Sequence, residues 1–313
     1  MSGFLGLDTS NYTTSAAYLA AGADKPVQAK QLLPVKEGEM GLRQSDAVFH
    51  HTRQLPDIIE QLREPMAGGV AAVAASNRPQ QLDGSYMPCF LVGAGAARQL
   101  GAVLGVPVYF FTHQQGHVMA ALTGAECLSL REKPFLAFHV SGGTTDALLV
   151  EPDDECIIRC RVVGHSLDLK AGQLIDRVGG LLGLRFPAGP ALEQLALQAT
   201  DTYKPKATLR GTDCHLSGVE NQCRDRLAKG VPPAEIARFC LDSVGTAVEG
   251  MTEAILREYG DLPVVYAGGV MSNSLLKQRF TDRFGGHFAP PVYSADNAAG
   301  IACLCRIKEE EMG

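Results

Sequence analysis

The sequence predicts an α/β protein built from two related lobes, and three observations carry that prediction. At 313 residues the chain has room for two domains of ordinary size, each with a core of its own. A strand, a turn of small polar residues and a second strand at residues 4–19 recur at residues 135–150. Each copy is followed by a mixture of helix-period and strand-like apolar segments. The pattern breaks at ECLSLREKP, which ends the first lobe at about residue 130 and starts the second at 131.

Composition narrows the class. A hydrophobic fraction of 46% with 20% charged residues is globular, and no Trp with 6% aromatics predicts a core of Ala, Val, Leu and Ile. The nine cysteines contain no CxxC pair, which fits a reducing cytoplasm. Cys156 and Cys160 fall in a strand-like run and read as core residues facing one side. Asp8 and a polar turn follow closely after Met1, and no apolar run approaches about 18 residues, so neither secretion nor a membrane span is expected. A net charge of -6 argues against a broad nucleic-acid footprint, because neutralising phosphates takes clustered Lys and Arg.

Taken in order, FLGLDTSNYTTSAAYL reads as a hairpin, SDAVFHHTRQLPDIIEQLREPM as a helix and GGVAAVAAS as a buried strand. The run from Phe90 reads as a small-residue helix, VPVYFF as a strand, and a further helix starts near His113. PFLAFHVSGGTTDALLVE is the second hairpin. SLDLKAGQLIDRVGGLLGL and RFPAGPALEQLALQA then give two helices, and the run from Ile236 to Gly260 gives a long third. PVVYAGGVMSNSLLKQRF reads as strand, Gly turn and helix, before a final loop and helix.

Several of these segments carry chemistry. Ser141, Gly142, Gly143, Thr144 and Thr145 form a turn able to aim backbone N–H groups at one anion; a plain tight turn is the bland alternative, and the duplication favours the anion nest. Asp8, in the first hairpin, is placed to hold a cation or a polar substrate group. AGGVMSN, with Gly268 and Gly269, adds a turn where backbone can approach a flat base closely. His113 and His117 lie four apart on a helix, so their imidazoles share a face at divalent-metal spacing. Gln114 stands where a zinc peptidase carries its glutamate base, which argues against peptidase chemistry. Asp296 and His139 are available as third and fourth ligands, and an exposed polar helix face is the competing reading of the pair.

GLDTS, HQQGH, HVSGGTTD, AGQLIDRVGGLLGLRFPAGP, AGGVMSNSLL and SADNAAGIA together resemble, in the same order, the TsaD (Gcp) family of tRNA threonylcarbamoyladenosine synthases. The resemblance implies the actin-like ATPase (ASKHA) superfold, two RNase H-like lobes with the ligand between them, and a last segment from about residue 295 that returns to the first lobe. It implies one divalent metal, iron or zinc, on His113, His117 and Asp296, with His139 as a fourth-ligand candidate. An adenylate (threonylcarbamoyl-AMP, AMP or ATP) is expected on His139, Val140, Ser141, Gly142 and Gly143, with Asp176 and Glu193 at the ribose and Gly189, Gly268, Gly269 and Asn273 at the adenosine end. Asp8 and Ser10 fall at the reacting centre. The implied reaction transfers threonylcarbamoyl from its adenylate to the adenosine beside the tRNA anticodon. Implied partners are tRNA through a local or shared surface, a TsaB-like paralogue, a TsaE-like small ATPase and a homodimer.

The chain departs from the family pattern at defined positions. Asn11, Tyr12, Thr13 and Thr14 replace Cys-Asp-Glu-Thr, Thr144 replaces a histidine, and Glu220 replaces a lysine. The Gly-Pro-Gly turn before the Phe90 helix is replaced by RPQQLDGSYMPCF. These changes leave a second reading open: a paralogue that acts on another acyl or carbamoyl adenylate, or serves as a non-catalytic partner.

Overall fold

The structure, a computed structural model, describes residues 2–10, 12–34, 42–294 and 298–312. The chain separates into two compact units. One comprises Met1–Lys133, Glu151–Cys160 and Val292–Gly313, the other Pro134–Val150 and Arg161–Pro291.

The first unit opens with β1 (Gly3–Asp8), β2 (Thr13–Ala20), β3 (Val27–Leu32), α1 (Gln44–Glu60), β4 (Val70–Arg78), α2 (Phe90–Leu104), β5 (Val108–Thr112) and α3 (His113–Gly124). Its sheet runs β3-β2-β1-β4-β5, antiparallel across β1 to β3 and parallel from β1 through β4 to β5. Strand alternation divides the faces: Leu5, Leu7, Ala16, Tyr18, Val73 and Ala75 join Leu55 and Ile58 of α1 in one core. The sequence pattern missed β3, whose six residues include one that is buried, so no alternation marks it.

The second unit holds β6 (Phe135–Val140), β7 (Thr145–Asp153), β8 (Ile157–His165), α4 (Ala171–Leu181), α5 (Gly189–Ala196), β9 (Thr208–Arg210), β10 (Asp213–His215), α6 (Ser217–Ala228), α7 (Pro233–Tyr259), β11 (Val264–Ala267), α8 (Ser274–Phe284) and β12 (His287–Phe288). Its sheet order, β12-β11-β6-β7-β8, repeats the connectivity of the first sheet strand for strand. The expected aliphatic core holds only in part. Tyr266 stacks on Phe138, Phe280 and Phe288 with ring centroids 5.4, 4.9 and 5.1 Å away, which gives this unit an aromatic stack beside its aliphatic residues. Only Cys223 is buried on α6, which explains why no apolar stripe announced that helix.

After α9 (Pro291–Ser294) the chain ends in α10 (Ala299–Met312), which packs in the first unit against β1 and α3. A side chain at Gly300 would meet the Gly116 carbonyl oxygen at 1.9 Å, so α10 crosses α3 at a glycine–glycine contact directly before the second histidine of HQQGH. Residues 151–160, which the pattern assigned to the second lobe, cluster with the first unit because Gln115 Nε2 donates to Cys156 O at 3.1 Å and Ile158 O at 2.8 Å. Cys160 is buried as expected. Cys156 is only half-buried, and its thiol donates to Asp153 Oδ1 at 3.1 Å. No helix among the described residues is long and apolar enough to cross a membrane.

Candidate functional site

The first unit gathers Asp8, Ser10, His113 and His117. Thr112 caps α3 with a full capping box, its hydroxyl accepting from Gln115 N at 3.2 Å while the Gln115 side chain accepts from Thr112 N at 2.8 Å. His113 is therefore the first residue of the helix and His117 lies one turn on. Their Nε2 atoms face each other at 2.8 Å. The other nitrogen of His113, Nδ1, stands 2.8 Å from Asp8 Oδ2.

Asp8 ends β1 and is fully buried, and its second oxygen accepts from Ser10 N at 2.8 Å. Burial pushes its carboxyl upward, but the charge and hydrogen bond of His113 and the backbone N–H of Ser10 outweigh that and hold it below the usual carboxylate range. The neighbouring Thr9 hydroxyl donates to Cys89 O at 2.9 Å and accepts from Gly93 N at 3.1 Å, which fixes the exit of β1 on α2. Ser10 Oγ and Ser76 Oγ are both buried with no hydrogen-bond partner among the described residues. The β1–β4 register pairs Leu7 with Ala75, so Ser76 comes beside Asp8.

A second buried polar group lies nearby on α1. Thr14 Oγ1 donates to Gln54 Oε1 at 2.6 Å and has only that proton, so His51 Nδ1, 2.8 Å away, must donate to it. That tautomer leaves His51 Nε2 as a bare acceptor, buried and without a partner among the described residues. Desolvation drives the His51 pKa down to about 4, against an opposing pull from Asp8. The sequence carried no signal for this residue beyond its helical spacing.

The second unit assembles the adenylate candidates. The turn after β6 is closed by Ser141 N donating to Thr144 O at 2.7 Å and Thr144 N donating to Ser141 Oγ at 3.2 Å. Two of its amides are thus consumed internally, and those of Gly142 and Gly143, both exposed, make no hydrogen bond among the described residues. The nest is narrower than the sequence suggested. Gly172 of α4 donates to Ser141 O at 3.1 Å, which seats the helix start beneath the turn.

Gly268 follows β11, which runs parallel to β6 with Ala267 opposite His139. Its φ is +99°, and a Cβ there would meet Val140 O at 2.1 Å. The close approach this glycine permits is to the Val140 backbone, and Gly269 is the residue with open space around it. His139 itself sits in β6 opposite Asp146 of β7.

The remaining candidates line α4, α5 and α8. Asp176 Oδ1 accepts from Ala188 N at 2.8 Å, one residue before Gly189 opens α5. Glu193 accepts from Ser274 N at 2.8 Å and also from the Ser274 hydroxyl. Asn273, buried, caps α8 by accepting from Leu276 N at 3.1 Å. Glu193 and Asn273 are therefore joined through Ser274, and part of each side chain's capacity is spent on structure.

The donor set in the first unit suits a metal. Two imidazole nitrogens bound to one tetrahedral ion stand roughly 3.3 Å apart for metal–nitrogen bonds near 2.05 Å, a small opening of the observed pair. A carboxylate on the far nitrogen of a ligating histidine is the usual orienting partner of such a site. Among the described residues no group of three or more metal-binding side chains is gathered as a centre, and Asp296 lies outside the described residues. Sequence reasoning missed the tie from Asp8 to His113 and the role of Gln115. The Thr-x-x-Gln spacing of a capping box was the legible signal for the latter.

Comparison with known proteins adds the family context. The family model described as TsaD, tRNA N6-adenosine threonylcarbamoyltransferase, matches residues 36–303. A Thermus thermophilus protein named tRNA N6-adenosine threonylcarbamoyltransferase is 30% identical over 312 residues, covering 95% of this chain and 90% of its own. Among solved structures, component A of Acidaminococcus fermentans (R)-2-hydroxyglutaryl-CoA dehydratase superposes with a TM-score of 0.56 at 18% identity, covering 99% of this chain and 100% of that one. Full-length HypF in its phosphate- and nucleotide-bound form gives 0.61 at 13% identity over 99% of this chain and 46% of that one. These neighbours establish the actin-like ATPase fold.

Proposed function

Since the chain belongs to the TsaD family of tRNA N6-adenosine threonylcarbamoyltransferases, we propose that it transfers the threonylcarbamoyl group of threonylcarbamoyl-AMP to the adenosine beside the tRNA anticodon, in the cytoplasm. The observation that carries this reading is the facing pair of His113 and His117 Nε2 atoms, with Asp8 fixing the first ring. In the transfer, the exocyclic amine of the acceptor adenosine forms a bond to the carbamoyl carbon. The bond from that carbon to the phosphate oxygen breaks, AMP leaves, and the amine loses a proton.

The residues of the second unit bind and orient. Gly142 and Gly143 offer amides to the phosphate, Asp176 keeps Oδ2 for a ribose hydroxyl, and Glu193 contributes a second carboxylate there. In the first unit, His113 and His117 with Asp296 would hold an iron or zinc ion, and such an ion supplies Lewis acidity. The Ser10 and Ser76 hydroxyls, buried without partners among the described residues, are suited to polar groups of a ligand or its water. A TsaB-like paralogue and a TsaE-like ATPase belong to this proposal as partners, in keeping with the modest basic footprint of the chain.

A second reading, transfer from another acyl or carbamoyl adenylate, draws on one local feature. Glu220, where the family pattern has lysine, accepts from Arg177 at 3.1 Å and from Arg224 at 3.0 Å, so the charge at that position is inverted and locked. One assay separates the two. The purified protein is incubated with threonylcarbamoyl-AMP and unmodified tRNA, with and without the two partners, and nucleosides are read by mass spectrometry. Threonylcarbamoyladenosine supports the proposal; its absence in every combination rejects it.

A further inference from the structure

The connection between α4 and α5 is fixed at both ends and bare in the middle. Leu182 N donates to Val178 O at 3.0 Å and Leu184 N to Gly179 O at 2.8 Å, which closes the helix end, and the Leu184 side chain packs on the core of the second unit. At the other end Ala188 is 1% exposed, and its N–H donates to Asp176 Oδ1 at 2.8 Å. Between these anchors Arg185, Phe186 and Pro187 all face solvent, and Phe186 is 83% exposed.

Phe186 is the most exposed aromatic side chain among the described residues. A ring left in water forgoes the gain of burial, and here the flanking residues on either side are pinned so that the ring stays out. An aromatic face next to a guanidinium is the combination that recognises unpaired nucleotides, the ring stacking on a base and the cation pairing with a phosphate. The tip also leads directly off Asp176, the carboxylate proposed for the ribose.

We infer that residues 185–187 form an RNA contact, in which Phe186 stacks on an unpaired base of the acceptor anticodon loop and Arg185 pairs with a neighbouring phosphate. The inference rests on the transferase reading and adds to it the element of this chain that grips the acceptor. Because the contact is local, it is compatible with the net charge of -6.

The test titrates the full chain with a fluorescent anticodon stem-loop RNA at several salt concentrations and, in parallel, with AMP. Phe186→Ala is expected to weaken RNA binding about tenfold or more and to leave AMP binding unchanged, while Phe186→Tyr restores the affinity of the parent. Arg185→Ala is expected to weaken RNA binding and to reduce the salt slope by about 0.7 to 0.9. Parent-like RNA binding by Phe186→Ala overturns the inference alone, as does an equal loss of RNA and AMP binding. A parent protein that binds no stem-loop RNA overturns the inference, while the transferase reading stands or falls separately on the nucleoside assay with the partners present.

Discussion

Asp8 and His113 are 105 positions apart in the sequence and 2.8 Å apart in the structure, carboxylate oxygen to Nδ1. This contact turns His113 so that its Nε2 meets that of His117, and it assigns Asp8 an orienting role beside the histidine pair.

Removing either histidine should abolish stoichiometric metal. His113→Ala and His117→Ala are each expected to purify folded, with circular dichroism like that of the parent, and to lose bound metal by elemental analysis. Metal retained at full occupancy in both variants would reject the site.

Asp8→Asn keeps a hydrogen-bond acceptor but removes the charge. Orienting partners of this kind are worth about 10- to 100-fold in metal affinity, so the variant should bind metal correspondingly more weakly in a competition titration with a chelator. An unchanged affinity would mean that helix α3 alone sets the ring.

The buried His51 predicts an acid-sensitive fold. Its pKa is about 4 in the native state and about 6.5 when unfolded. Between these values the unfolded chain takes up a proton that the native chain refuses, so stability falls as pH drops from about 6.5 to 4 and is fully retained above that window. The loss is about 3 kcal/mol. Urea unfolding across pH should show this slope in the parent and a smaller one in His51→Gln.

Ser10 should separate stability from activity. Its hydroxyl is buried and unpartnered, so Ser10→Ala relieves a desolvated polar group and is expected to hold or raise the melting temperature. Transfer activity should fall in the same variant. A large drop in melting temperature would show that the hydroxyl has a structural partner.

Gly268→Ala is expected to disrupt the adenylate turn. With φ at +99° and Val140 O at 2.1 Å from the added carbon, the substitution must displace the exit of β6 or of β11, at a cost of about 1 to 3 kcal/mol. Calorimetry should show AMP affinity reduced, while the metal content of the first unit stays at the parent level.

The sequence by itself determined the hairpin repeat, the longer periodic strands and helices of both units and the HxxxH helix. These depend on local periodicity, small-residue turns and a four-residue spacing, all of which are properties of neighbouring residues. It also supplied the family motifs. It could not reveal β3 or α6, because each buries a single residue and so leaves no periodic trace. Only tertiary structure decided the polar surroundings of the histidines: Asp8 to His113, His51 to Thr14, and the Gly300 contact with Gly116 join residues distant in the chain. Tertiary structure also reassigned glycine and amide roles in the turns. Gly268 yields to the Val140 backbone, and the internal bonds of the 141–144 turn leave two amides for an anion. Steric contact and hydrogen-bond competition between separate segments cannot be expressed in a one-dimensional pattern, whereas periodicity along one segment can.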